Sequence, residues 1–466
     1  MWTIATLCAI VAALNGILLP CSASSESVLQ SASFRREFFS HELELSGITV
    51  ENATVYYAYC DKYGEQTEKK CTIRRRGADL TSKQDECNIT LRSESGGVIK
   101  TDLIKIEPFG KDRVIVRWLE DTGRKHLRFS IVNFSDCKVK TTKLSEDLDR
   151  LIMAVNHTEE FNKLTYLIGE YDFEVVLSGV VWLHDELGVI HRSLIDAEGV
   201  ASKVDTLVSY SGHRTKRIVP YIFPLSRDKG YLLVDLVYHN TKPSSITVAH
   251  VQSNGQRQNL THLDNAFSPL VSLANGLIGM CARQADDYLK CTQFKLGDKQ
   301  INWHTAMIVE RSYCLGIYNL PDGEGFLAVK HGVETPICYH EEIDYWRNVA
   351  VDETIDDLIK ISLESEPTQL YRRHIDMRCP DDQKPTTTKV SNDEKGNYLL
   401  NIVCVKTSKD DDNSIPDLNY LQFQSKCFKP EDLTTFEKIT GEFFHQEEER
   451  EADYDYVPRY AEYYEP

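Results

Sequence analysis

Basic side chains are in deficit: 53 Lys and Arg stand against 71 Asp and Glu, a formal net charge of −18. A chain this acidic repels phosphate backbones, so nucleic acid is not an expected partner. Long apolar runs are missing after Leu19. Nothing later approaches the roughly 18 residues that a bilayer-spanning helix needs, so no membrane span is expected. Catalytic signatures are missing as well. The chain has no Gly-x-Ser-x-Gly elbow for a serine nucleophile, no His-Glu-x-x-His pair for zinc hydrolysis and no Gly-rich phosphate loop. His340, Glu341 and Glu342 lack a second histidine, and His184, Asp185, Glu186 and His191 fit no metal-ligand spacing. Neither a metal nor another cofactor is expected, and the sequence points away from an enzyme.

What is present begins with an export signature. Residues 1–23 carry no charged side chain, run apolar from Trp2 to Leu19, and end in Pro20, Cys21, Ser22 and Ala23. This reads as a secretory signal peptide cleaved after Ala23, which makes the mature chain secreted and extracellular. Five Asn-x-Ser/Thr sequons, at Asn52, Asn88, Asn133, Asn156 and Asn259, are glycosylation acceptors on that reading. Removal of Cys8 and Cys21 with the signal leaves eleven cysteines. No Cys-x-x-Cys pair exists, and a secreted chain oxidises its thiols, so disulfides are expected before metal. Cys60 and Cys71 flank a polar turn, as do Cys281 and Cys291, the arrangement of a bond across paired hairpin strands. Spacing alone leaves connectivity open. The working set adds Cys87 with Cys137, Cys314 with Cys338 and Cys404 with Cys427, and leaves Cys379 over.

Apolar or alternating runs joined by turns recur along the chain, clearest in Arg113 to Trp118 followed by Leu127 to Val132. Counted from Val55, Val114, Val180, Tyr231, Leu277, Phe326 and Tyr398, these hairpins are 46 to 72 residues apart. A four-stranded propeller blade consumes roughly 40 to 50 residues, so the expected fold is all-β: an irregular seven-bladed β-propeller-like body spanning residues 49–428. Two or three β-sandwich domains are the alternative, because their hairpins have similar spacing. Helical stripes are expected as insertions at Ser145–Val155 and after Asp352, through Ile355, Leu358 and Ile359. Residues 24–48 form an N-terminal extension, and Pro430 opens a C-terminal helix over 429–445. Trp118, Trp182, Trp303 and Trp346 are assigned to the core.

Residues 446–466 change character. From Gly441 to Pro466 nine acids stand against Arg450 and Arg459, with Tyr454, Tyr456, Tyr460, Tyr463 and Tyr464 among them. A segment of this composition has no core to bury and is expected to be disordered when free. Tyr454 and Tyr456 sit in a setting that a secretory sulfotransferase accepts. In composition the tail resembles the acidic, Tyr-bearing tails of hirudin-type thrombin inhibitors and of sulfated receptor N-termini. The resemblance implies docking on a basic protein surface. Arg214, Lys216 and Arg217 form a basic cluster that proprotein convertases accept if the loop is exposed. The expected function is that of a secreted glycoprotein binding another extracellular protein, such as a protease or receptor, through propeller loops and the tail. A secreted hydrolase with carboxylates in a central channel and a Tyr-crosslinked matrix component are the alternatives.

Overall fold

The computed structural model describes residues 30–438 apart from 32–34, 40–42, 52–53, 64–65, 78–85, 111, 124, 143–162, 169–172, 179–180, 183–187, 197–198, 203, 211–215, 227–228, 240–241, 285–287, 308–315, 333–353, 365–367, 380–382, 393–395, 407–418 and 436. The described chain is nearly all β. Its strands form seven antiparallel sheets, arranged almost entirely in sequence order. The first holds Leu43–Glu51, Thr54–Asp61, Glu68–Gly77 and Glu86–Arg92, and the second Val98–Phe109, Arg113–Asp121, Lys125–Asn133 and Val139–Thr141. The third holds Lys163–Ile168, Phe173–Ser178, Gly188–Ile195 and Asp205–Tyr210. In the fourth, Val181–Trp182 precedes Lys216–Ser226, Gly230–His239, Lys242–Val251 and Arg257–Asp264. The fifth holds Ala266–Ser272, Ile278–Gln284, Tyr288–Phe294 and His304–Met307. The sixth runs Gly316–Asn319, Gly325–Gly332, Thr354–Ser362 and Gln369–Arg378, with Glu437–Lys438 added at its far edge.

Both ends of the described chain build the seventh sheet. Lys384–Asn392, Tyr398–Lys406 and Asn419–Phe428 come from the C-terminal part, and Gln30–Ser31 and Arg35–Phe39 pair antiparallel with Asn419–Phe428. The edge that the last C-terminal strand would expose is thus covered by the N-terminal segment, which matters because unpaired edges recruit other chains.

Among the described residues, apolar clusters pack six pairs of neighbouring sheets face against face. Ile73 and Ile89 of the first sheet meet Ile106, Val116 and Trp118 of the second, and Tyr57 of the first also packs with Val403 and Phe423 of the seventh. Leu232 and Val234 join the fourth sheet to Ile278 and Met280 of the fifth, and Tyr231 and Leu233 join it to Val208 and Tyr210 of the third. Large side chains such as Trp118, Tyr57 and Phe423 are almost wholly removed from water, each worth roughly 1.5–3 kcal/mol. The Trp118 indole keeps its hydrogen bond by donating to Ser130 Oγ at 3.1 Å. The arrangement is propeller-like.

Two helical expectations give way to other structure. Thr354–Ser362 is a strand, not a helix. Its sheet is covered on both faces: Leu358 packs toward the seventh sheet and Ile361 toward the fifth, so apolar residues fall on both sides and imitate a helical stripe. Pro430 opens a 3₁₀ turn, Pro430–Thr435, which buries Leu433 and is followed by the short strand Glu437–Lys438. The stripe expected at Ser145–Val155 lies outside the described residues.

Candidate functional site

The first strands of neighbouring sheets approach one another at several junctions, and three of them bring charged residues from distant parts of the chain together. In Val98–Phe109 the pairing shifts register between Lys100 and Lys105, which sets Lys105 opposite Arg117 and Glu107 opposite Ile115. Ile104 and Ile106 then point into the core, while the alternation of the strand sends Lys105 and Glu107 to the opposite face. Burial raises the Glu107 carboxyl above the ordinary carboxylate range; the charges of Arg117, Lys389 and Lys105 pull it down, and that of Glu51 pushes it up again. Lys389 belongs to the first strand of the seventh sheet and Glu51 ends the first strand of the first. Two carboxylates and three cations from three sheets therefore share one electrostatic neighbourhood. Such a group of mixed charge can bind a polar ligand. None of its members was singled out from sequence. The only local trace is a charged residue on each side of the buried Ile106.

A second polar group joins the third and fourth sheets. Tyr210 donates its hydroxyl to Asp235 Oδ1 at 2.8 Å, and Arg257 donates to Asp235 Oδ2 at 2.9 Å. Asp235 is buried; these two donors offset part of its removal from water, which still raises its carboxyl above the ordinary value. Every partner lies within the interface between the two sheets, which makes this a packing element. Among the described residues no group of three or more His, Cys, Asp or Glu is arranged to hold a metal ion.

The residues singled out from sequence fall in three places. Cys60 is bonded to Cys71, Cys87 to Cys137 and Cys281 to Cys291, while Cys314 and Cys338 lie outside the described residues. Cys404 is bonded to Cys379 and not to Cys427. The ladder explains the correction: Cys404 faces Gln422 and Cys427 faces Leu399, five residues away along the strand and on the opposite face of the sheet. That displacement is about 17 Å, far beyond a disulfide.

Asn88 and Asn259 are exposed on the outermost strands of the first and fourth sheets. The Asn133 side chain accepts hydrogen bonds from the backbone N–H and hydroxyl of Ser135, its own sequon serine. Lys216 and Arg217 lie in the ladder of the fourth sheet, Arg217 paired with Tyr238 on one side and Trp182 on the other. Arg214, Asn52, Asn156, the export segment and Tyr454, Tyr456, Tyr460, Tyr463 and Tyr464 lie outside the described residues.

No family model and no curated protein matches this chain. Among solved structures, a polysaccharide lyase is 10% identical with a TM-score of 0.42, over 82% of this chain and 90% of that one. The β-propeller domain of the Trilobed protease from Pyrococcus furiosus, described as having an open velcro topology, is 9% identical with a TM-score of 0.37, over 83% and 94%. An acylaminoacyl peptidase from Pyrococcus horikoshii is 9% identical with a TM-score of 0.36, over 80% and 60%. At these values no residue role passes from them to this chain.

Proposed function

We propose that this chain is an exported glycoprotein whose seven sheets close into a seven-bladed β-propeller-like body, and that it binds another extracellular protein, one with a basic surface, through loops of that body and its acidic tail. Closure is supported by the pairing of Gln30–Ser31 and Arg35–Phe39 with Asn419–Phe428, and by the apolar cluster that joins the seventh sheet to the first. In a sandwich each sheet would pack on one face only, whereas the sixth sheet here packs on both. Export is supported by the charge-free apolar N-terminus and by four disulfides between described residues, a usage suited to an oxidising compartment.

The observation that carries the binding reading is the tail, with eight acids and five tyrosines in residues 446–466. A polyanionic arm accelerates encounter with a cationic partner, and its rings supply desolvated contact after docking. Linked to a rigid body, it adds a second point of attachment at high local concentration. The intact mass of the secreted protein tests the modification that strengthens this arm. Sulfate on Tyr454 and Tyr456 is expected; unmodified tyrosines on an exported chain would count against it.

A second reading, a secreted hydrolase working on glycans, is favoured by one observation: the carboxylates of Glu51 and Glu107, from the first strands of two neighbouring sheets, share one electrostatic neighbourhood in which burial raises the Glu107 carboxyl. An acid of raised pKa beside a second carboxylate is the requirement of glycoside cleavage. Turnover of a glycan panel that disappears in both Glu51→Gln and Glu107→Gln would establish this reading, and absence of turnover by the native protein would end it.

A further inference from the structure

We infer that the outer edge of the first sheet is a pairing surface for a second copy of this chain, and that an N-linked glycan on Asn88 keeps it closed. The inference rests on the export reading above, because only an exported chain has its sequons glycosylated.

The last strand of each sheet leaves one edge to be satisfied, since a row of unpaired N–H and C=O groups recruits other chains. Most of these edges are closed. Gln30–Ser31 and Arg35–Phe39 cover the seventh sheet, and Glu437–Lys438 pairs with the last strand of the sixth. The fifth ends on His304–Met307, where the Thr305 carbonyl accepts from the Thr368 backbone N–H at 3.2 Å. The second ends on Val139–Thr141, only three residues long. The third ends on Asp205–Tyr210, and the turn before Arg257–Asp264 lies against it: a Cβ on Gly255 would stand 3.1 Å from Leu207 O. Glu86–Arg92 and Arg257–Asp264, which end the first and fourth sheets, are seven and eight residues long. Among the described residues, neither takes a backbone hydrogen bond from a segment outside its sheet. Each carries a sequon within the strand, at Asn88 and at Asn259.

The first of these two edges is complementary to itself. Antiparallel strands related by a two-fold axis pair residues that lie at equal distances on either side of one central residue. About Ile89, Glu86 falls opposite Arg92 of the second copy and Arg92 opposite Glu86, so both ends of the ladder match in charge. Cys87 falls opposite Leu91, and Ile89 opposite its own counterpart. These three side chains share one face and belong to the apolar cluster between the first and second sheets, so the new ladder would continue that cluster. Asn88 falls opposite Thr90 on the other face, where Asn88 is exposed. Two disulfides stiffen the template: Cys60–Cys71 joins the second and third strands, and Cys87–Cys137 ties the edge strand to the chain of the second sheet. A rigid edge loses little freedom on pairing.

Asn88 is placed to block this ladder. Its Oδ1 accepts from the Thr72 hydroxyl at 2.8 Å, so the anchoring bond uses the oxygen and not Nδ2, the atom that bears the sugar. In the transfer, Nδ2 bonds to the anomeric carbon of an oligosaccharide, the bond from that carbon to a polyprenyl diphosphate breaks, and the amide gives up one proton. In the paired state the two Asn88 residues would be diagonal neighbours on one face, about 7–8 Å apart. Two branched oligosaccharides rooted that close crowd one another and hold the edges apart.

The test is sedimentation velocity of the full secreted chain over a concentration series, with glycopeptide mass spectrometry at Asn88. The native chain is expected to carry a glycan on Asn88 and to remain a monomer. Asn88→Gln is expected to double the mass at high concentration, and so is Thr90→Val, which removes the sequon but keeps Asn88 and its bond to Thr72. Arg92→Glu added to either variant sets carboxylates opposite each other at both ends of the ladder and should restore the monomer. Monomeric sequon variants, a dimer that survives Arg92→Glu, or an exported chain without a glycan on Asn88 overturns this inference alone. A chain that is not exported and bears no glycan at any sequon overturns it together with the export reading.

Discussion

A Cβ placed on Gly279 would lie 1.7 Å from Asn319 Oδ1, so these two residues of adjacent sheets occupy space that only a glycine can yield. Asn319 is fully buried. Its amide donates to the carbonyls of Ser272 and Leu277 at 2.9 Å and of Ala274 at 3.2 Å, and its Oδ1 accepts from Gln293 at 3.1 Å. It fastens the fifth sheet to the sixth. Gly279→Ala is expected to displace that amide and cost about 2–3 kcal/mol of stability, measured by urea unfolding. A variant of native stability would show that the contact carries no weight.

Glu120 makes a comparable fastening within the second sheet. The fully buried carboxylate accepts from the Glu94 backbone N–H at 2.7 Å and the Ser95 hydroxyl at 2.8 Å, and Arg128 approaches it at 3.1 Å. Removal of one partner strands the other charge in the interior. Glu120→Ala should therefore destabilise by about 3–5 kcal/mol in thermal or denaturant unfolding, more than truncation of the half-buried Glu68 that pairs with the exposed Arg92.

Glu107 makes stability depend on pH. Its folded pKa is raised above the unfolded value, so the native state binds more protons between the two. The stability it contributes is present below the ordinary carboxylate pKa and is lost as pH rises through the folded pKa. Glu107→Gln removes that loss. Tm followed from pH 4 to pH 8 should fall less steeply in the variant than in the native protein, and parallel curves would show that Glu107 ionises as a free carboxylate does.

Much of the body is legible in the amino-acid pattern, and for a physical reason. The hairpins located at Val55, Val114, Tyr231, Phe326 and Tyr398 open on interior strands of five different sheets. Strands in that position are flanked by a strand on each side and covered on both faces, so they carry the densest apolar runs: all eight residues from Tyr398 to Val405 are buried. The same double coverage misleads at Thr354–Ser362, where burial on two faces resembles a helical stripe. Pairing across sheets is not legible. Glu51, Glu107 and Lys389 meet only because first strands of three sheets come together, and no short-range spacing encodes that. Cys379 and Cys404 were separable from Cys427 only once the ladder had assigned each cysteine to a face.

The reading of the tail predicts an ionic-strength signature. Exposed charges lose most of their mutual attraction beyond about 10 Å at 0.1 M salt, so association driven by the tail should slow steeply as salt rises, while dissociation from the folded body changes little. Association rates measured by surface plasmon resonance at low and high salt test this. A salt-independent on-rate would assign encounter to the body alone.

The most direct measurement of the central claim is capture from the native extracellular fluid by the full chain and by a chain ending at Gln446, each immobilised at low salt. The account predicts that the full chain retains a partner with a basic surface and that the truncated chain, equally folded by Tm, retains markedly less. Equal retention by the two chains would contradict it.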